Sequence, residues 1–232
     1  MSGKTILIAG TIVEHEKVIG GVPTWKRIPR VTEIGSVGDQ ADPKENTTLA
    51  DKHKTYGDGL HDSADKNLKG QYIPPKTSGE DGYDDYRLQQ EFIKRCRAKE
   101  EFNVRVIWPD GEVNGFLYKS LGFEFDQGTQ EDWKMWTTNG KQNSITVFGL
   151  TLSGDNTISV GGTSTLTLTA DPADVDLTAD DIYWSSSSSS KATVVNGVVK
   201  GVAAGVATIT ATFRGVSTDI KVTVSCVLNS ES

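Results

Sequence analysis

The stretch DIYWSSSSSSKATVVNGVVKGVAAGVATITATF, Asp181 to Phe213, carries no group that readily serves as nucleophile, metal ligand or general base beyond its serine hydroxyls. Its pattern is architectural. Val194-Val195-Asn196-Gly197-Val198-Val199 sets Asn-Gly between β-branched pairs. Both turn residues tolerate positive φ, so the segment predicts a tight hairpin. Thr208 to Phe213 alternates small polar with apolar side chains, as do Thr165 to Ala170 and Ile220 to Val224. A period of two marks strands that are wet on one face. Short strands separated by turns over some tens of residues predict a β-sandwich.

Upstream of this region the composition changes. Tyr183, Trp184 and Phe213 are the only aromatic residues after position 150, and Lys and Arg also concentrate before it. Two domains are predicted, 1–149 and 150–232, both of ordinary size. The 232 residues carry a formal net charge of −7, which argues against a broad nucleic-acid-binding face, since phosphate neutralisation needs a basic surface. The two cysteines, Cys96 and Cys226, stand alone, so neither a disulfide framework nor a CxxC motif is present, and a reducing compartment fits. The apolar run near Met1 is too short for a signal peptide and no stretch approaches a membrane span, so membrane insertion is not expected.

The first domain reads as an antiparallel sheet with one helix. Asp84 to Lys99 places Leu88, Phe92 and Cys96 at four-residue intervals, with acids in the first turn and bases in the last, which predicts an amphipathic helix over about 84–99. Phe102 to Trp108, the turn Pro109-Asp110-Gly111 and Glu112 to Tyr118 predict strand, turn and strand. Leu121, Phe123 and Phe125 continue the alternation, Trp133–Thr138 and Ser144–Phe148 predict a pair around Asn139-Gly140, and Ile28 to Val37 joins the sheet. Residues 38–82 are rich in Asp, Lys, Gly, Asn and Pro and predict a long loop, which is either functional or disordered. The fold class is therefore mainly β: an N-terminal antiparallel β-sandwich or barrel with one α-helix, then a C-terminal β-sandwich.

Several motifs in order resemble the bacterial Ig-like group 2 repeat: Leu152-Ser153-Gly154, Val160 to Thr163, Asp171-Pro172-Ala173-Asp174, Trp184 to Ser187, Ala192-Thr193-Val194, Asn196 to Val199 and Gly201 to Ala211. That resemblance implies that Trp184 packs between two sheets. In the first domain, Val31 to Gly35, Tyr56 to Asp62, Leu88 to Phe92, the Val106 to Gly111 hairpin with Phe116 to Ser120, and Ile145 to Gly149 together resemble the major tail protein of lambda-like long-tailed bacteriophages. Glu33 and the Trp108 to Gly111 turn match best. The resemblance implies a structural virion protein whose hexameric rings stack into a tail tube through which genomic DNA passes without specific binding. It further implies an outward Ig-like decoration, tape-measure and tail-terminator partners, and assembly in the host cytoplasm. Sheet borders that pair with neighbouring copies are physically consistent with ring closure.

Within that reading the long polar segment is the first candidate for inter-subunit contact, with Tyr56, Asp58, Leu60, Asp62, Asp65, Lys69 and Tyr72 as its residues, and the arm from Thr5 to Val22 is the second. Deleting Asp58 to Lys69 is expected to leave a folded monomer unable to polymerise, and truncation near Gly149 to leave assembly intact. A contrasting reading makes the Ig-like domain an adhesin for a cell-surface glycan or protein, with Tyr183 and Ser187 at its surface. Enzymatic chemistry finds no support. His15, His53 and His61 form no metal-binding pattern and read as surface residues. Asp58 to Asp65 lacks the glycine and terminal glutamate of a calcium loop, and Asp84-Asp85 reads as helix N-terminal charge. Gly140-Lys141 continues into Gln142 and is no phosphate loop. No catalytic residue, metal ligand or cofactor is assigned.

Overall fold

The computed structural model describes residues 9–35, 40–45, 56–62, 65–126 and 133–226. The first part of the chain runs through β1 (Ile12–Ile19), β2 (Val22–Arg27), β3 (Val31–Ile34), β4 (Gln40–Glu45), β5 (Tyr56–Asp62) and β6 (Leu68–Gln71). Then come α1 (Tyr83–Arg97), β7 (Glu101–Ile107), β8 (Val113–Phe125) and β9 (Met135–Gln142). Seven of these strands hydrogen-bond into one antiparallel sheet in the order β2-β1-β7-β8-β9-β6-β3. Consecutive strands β2 and β3 therefore sit at opposite borders, yet three residues, Ile28 to Arg30, join them. Four Cα steps span at most about 15 Å, so the sheet has to curl back on itself. At this corner Ile28 still donates its N–H to Val13 on β1 (2.8 Å), while the Arg30 carbonyl already accepts from Gln71 on β6 (3.0 Å).

The inner face of the curl is the core. Val13, Ile34, Leu68, Val104, Val106, Phe116, Tyr118 and Trp136 from the strands meet Phe92 and Cys96 from α1. The helix presents Gln89, Phe92, Ile93 and Cys96 inward, whereas Leu88 is half-buried. The turn of the buried stripe toward Gln89 has a polar cause. Its amide accepts from the Ile73 N–H (2.7 Å) and donates to the carbonyls of Gln71 (2.7 Å) and Pro29 (3.3 Å), satisfying backbone groups at the corner that are shielded from water.

Three sequence expectations are corrected. The segment 38–82 is not one long loop: β4 and β5 form an antiparallel hairpin, and β6 is an interior strand between β9 and β3. Leu68 is fully buried and so is Lys66, so a deletion reaching Lys69 would remove part of the core rather than an accessory. Asn139-Gly140 is not a turn but lies within β9, opposite Gly122 and Ser120. Glycine is required there because a Cβ would stand 2.3 Å from the Tyr118 ring. Lastly, of the strand expected over Ile28 to Val37, Ile28 to Arg30 form the corner instead, Val31–Ile34 is strand, and 36–37 lie outside the described residues.

The second part contains β10 (Gly149–Ser153), β11 (Thr157–Ser159), β12 (Thr163–Thr165), β13 (Thr167–Asp171), β14 (Tyr183–Ser186), β15 (Ala192–Val195), β16 (Val198–Gly201), β17 (Gly205–Phe213) and β18 (Val216–Ser225). Sheets β11-β18-β17-β14 and β12-β16-β15 face each other, with the pair β10-β13 alongside. Leu152, Ile158, Val199, Ile209 and Val222 fill the space between. This is an Ig-like β-sandwich, and β11 joins β18 in parallel. Asn196 and Gly197 make the anticipated turn with φ of 49° and 79°. The strand expected over 165–170 is broken at the buried Leu166, where the chain leaves β16 and joins β10.

Gly140→Ala is expected to destabilise the first domain by about 1–3 kcal/mol through overpacking against Tyr118. A lower midpoint in urea unfolding with an unchanged slope checks it.

Candidate assembly surfaces

The two domains share an interface built by the β17–β18 turn. Arg214 and Gly215 both have positive φ, 47° and 85°, which makes the turn tight enough to lie flat on the outer face of the first sheet. The Arg214 carbonyl approaches Gly115 of β8 so closely that a Cβ there would stand at 2.1 Å. The Gly215 carbonyl accepts from Arg105 Nη1 (3.1 Å). Arg105 is itself fixed by Glu14 (Nη2–Oε2 2.6 Å) and lies over the Trp25 ring at 4.5 Å. Arg214 donates to the Ile145 carbonyl (3.3 Å), and burial lowers its pKa against the opposing pull of Asp181 and Asp176. Val147, Val175, Phe213 and Val216 form a small core at this junction, with Val113 and Ile145 packed on it. Val147 also bridges Gly115 as an isolated strand pair.

Away from the junction the first sheet has free borders. Among the described residues β2 and β3 each pair on one side only. The β2 border carries Pro23, Lys26 and Arg27, residues that discourage strand addition. The β3 border, Val31 to Ile34, carries neither Pro nor Lys, only Glu33. Beyond His15 the β1–β2 ribbon leaves β7, because β1 pairs with β7 only through Ile12 to His15. A cleft of ≈ 470 Å³ opens there, lined by Lys17, Val18, Glu91, Lys94, Arg95 and Glu100. Two ion pairs cross its walls, Lys17 with Glu91 and Arg95 with Glu100.

The residues expected to mediate contact are dispersed. Tyr56, Asp58, Leu60 and Asp62 lie on β5, in the hairpin with β4. Asp65 pairs with Lys141 (2.8 Å). Lys69 sits inside β6, opposite Glu33 and Thr137. Tyr72 packs edge-on against Phe125 at 5.2 Å, with the Lys134 ammonium 4.8 Å from its ring. These last three belong to the folded sheet, not to a pliable loop. Of the arm from Thr5 to Val22, residues 5–8 lie outside the described residues and the rest forms β1 and its turn. In the Ig-like domain Tyr183 is half-buried on β14, and Ser187 is exposed with its Oγ accepting from the Thr208 N–H (2.9 Å). Trp184 packs against the second core and lines an apolar cleft of ≈ 280 Å³ with Leu166, Leu168, Leu177 and Ile182.

His15 is corrected most sharply. It is fully buried, not a surface residue, with ring centroids of Phe92 and Phe102 at 5.6 and 5.8 Å. Arg95 Nη1 donates to its Nδ1 (2.9 Å), which leaves the proton on Nε2, where no acceptor stands among the described residues. Burial, and then the Arg95 charge, lower its pKa to about 4, so the ring is neutral at neutral pH. His53 lies outside the described residues, and His61 is on β5. Cys96 is inert, its thiol pushed up to about 12 by burial. Among the described residues no three His, Cys, Asp or Glu side chains gather as a metal site. No described helix is long and apolar enough to cross a membrane.

Sequence reasoning missed Gly115, Arg105, Arg214 and His15. Arg214-Gly215 between two β-branched strands was the available signal for a turn, but nothing local told that the turn had a docking partner.

Residues 148–224 match the family model of the bacterial Ig-like domain (group 2). No curated protein matches the chain. Similar solved structures include the tail of an empty GTA particle with C6 symmetry, at 15% identity, covering 59% of this chain and 93% of that one with a TM-score of 0.42. The six-fold symmetrised baseplate of the anti-feeding prophage gives 9% identity, 62% and 95% coverage and 0.43. The SPP1 tail tube gives 8%, 60% and 78%, and 0.41.

Two outcomes follow from this geometry. Gly115→Ala is expected to push the Arg214 turn off the sheet, accelerating proteolysis between the domains and broadening the calorimetric transition, while Gly122→Ala, with open space around it, changes neither. His15 takes up a proton at pH 6.5 when unfolded but at about 4 when folded. The unfolded chain therefore binds more protons between these values. Stability contributed by His15 is complete above pH 6.5 and declines on acidification toward pH 4, by about 3 kcal/mol in all. Urea unfolding across that range checks it, and His15→Phe is expected to flatten this part of the profile.

Proposed function

We propose that the chain is a structural subunit of a bacteriophage tail tube that assembles with copies of itself. The observation that carries this reading is a curled sheet whose borders at β2 and β3 are unpaired among the described residues. Unpaired N–H and C=O groups along a border are satisfied well by another strand, and a rotation that repeats the contact closes a ring. The ordered motifs that resemble the tail protein of lambda-like phages support the same role and extend it to hexameric rings that stack into a tube. The net charge of −7 suits a passage that lets DNA slide without adhering. In this reading the Ig-like domain faces outward, tape-measure and terminator proteins meet the tube at its ends, and assembly takes place in the host cytoplasm.

A second reading, an Ig-like domain that binds a glycan or protein on a cell surface, draws on the apolar cleft beside Trp184. Its walls differ from Tyr183 and Ser187, which shifts the candidate contact to Leu168, Ile182 and Trp184.

Negative-stain microscopy and light scattering of the purified full-length protein over rising concentration test the structural reading. Rings and hollow tubes are the expected outcome. A chain that stays monomeric throughout overturns it, and saturable binding by that monomer to host cells would favour the second reading.

A further inference from the structure

The β1–β2 ribbon ends in an exposed apolar tip. Val18, Ile19 and Val22 are 61%, 50% and 44% exposed around Gly20-Gly21, whose φ values of 61° and 81° make the turn tight. Three large β-branched side chains held in water on a protruding turn are costly, and such clusters mark contact sites. The strand registers fix where the tip lies. Ile12 pairs with Ile107, and Ile107 with Val113, at the end of the sheet that meets the Ig-like domain. β1 then runs the other way, so Ile19 lies about 23 Å along the strand from that level.

The two ends also differ in charge. Around the ribbon tip, Glu91 and Glu100 are already engaged by Lys17 and Arg95. Lys94, Arg97 and Lys99 at the helix C-terminus are exposed and form no ion pair among the described residues. At the opposite end Asp110 and Glu112 in the β7–β8 turn are exposed, as are Asp174 and Asp180 in the loop beside the junction core. From Leu150 to Ser190 the Ig-like domain contains no Lys or Arg at all. One end of the subunit thus offers an apolar tip with a basic rim, and the other an acidic rim.

We propose that the Val18–Val22 tip of one copy docks at the acidic β7–β8 turn of the next copy's sheet, a head-to-tail contact in which the basic rim at Lys94, Arg97 and Lys99 pairs with Asp110 and Glu112. The inference rests on the self-assembling subunit proposed above and names which ends meet. A head-to-tail contact uses different surfaces on its two sides and therefore propagates. Charge complementarity sets the polarity of addition, because two acidic ends repel each other in the reversed orientation.

The experiment compares the full-length protein with the double variant Val18→Asp/Ile19→Asp and, separately, with Lys94→Glu/Lys99→Glu, by light scattering and negative-stain microscopy. Both variants change exposed side chains, and a thermal midpoint like that of the parent verifies folding. The tip variant is expected to raise the concentration needed for tube growth by at least about tenfold, as loss of a central apolar anchor does. The charge variant is expected to weaken growth and to reduce its sensitivity to salt. Tubes of normal length from either folded variant would overturn the proposal while leaving the assembly reading intact. A parent protein that never assembles would overturn both. Should the tip variant misfold, Ile19→Ser takes its place under the same criterion.

Discussion

Three residues, Ile28 to Arg30, carry the chain from one border of the first sheet to the other, and the domain depends on holding that crossing in place. The problem is a shortage of partners. A backbone that changes neighbours passes through positions where neither strand ladder is available, and each unmade bond in a buried site costs about 1–3 kcal/mol. Gln89 answers it from the helix, with one amide serving the Ile73 N–H and the carbonyls of Gln71 and Pro29. The helix is thereby locked against the corner, and Phe92 and Cys96 are set into the core beneath it. The short connection imposes the sheet's curvature, and Gln89 ties the helix to the corner that results.

The second organising contact joins the domains. An appended sandwich on a flexible linker would leave the first sheet's outer face open. Here the Arg214-Gly215 turn occupies that face, and Val147, Val175, Phe213 and Val216 exclude water from the seam. The Ig-like domain thus packs against the first sheet through these contacts. Gly115 is the enabling residue, since any side chain would hold the two backbones apart.

What could be read from the sequence was whatever depends on local pattern. Alternation found the strands of the sandwich, Asn196-Gly197 found its turn, and acidic and basic ends bracketed the helix to within two residues. Readings failed where a distant partner overrode the local signal. Gly140 reads as a turn residue until the Tyr118 ring is placed beside it, and the Leu88, Phe92, Cys96 spacing gives no sign of the role Gln89 takes at the corner. His15 looks like surface in a run of charged neighbours, yet alternation with Glu14 and Glu16 turns it inward among Phe92 and Phe102. The polar character of 38–82 hid β6, whose two inward residues, Leu68 and Gly70, give too short a pattern to notice. Of the contact candidates drawn from that segment, Lys69 lies within β6 and Tyr72 packs on Phe125.

The unequal burial of the two thiols has a practical side. Cys96 is sealed in the core and holds its proton far above neutral pH, whereas Cys226 is exposed just beyond the last strand of the Ig-like sandwich. A thiol-directed dye or heavy-atom cluster added to the native protein would therefore decorate a single address. Because the sandwich packs against the sheet, that mark would report the orientation of the whole subunit in any particle that contains it.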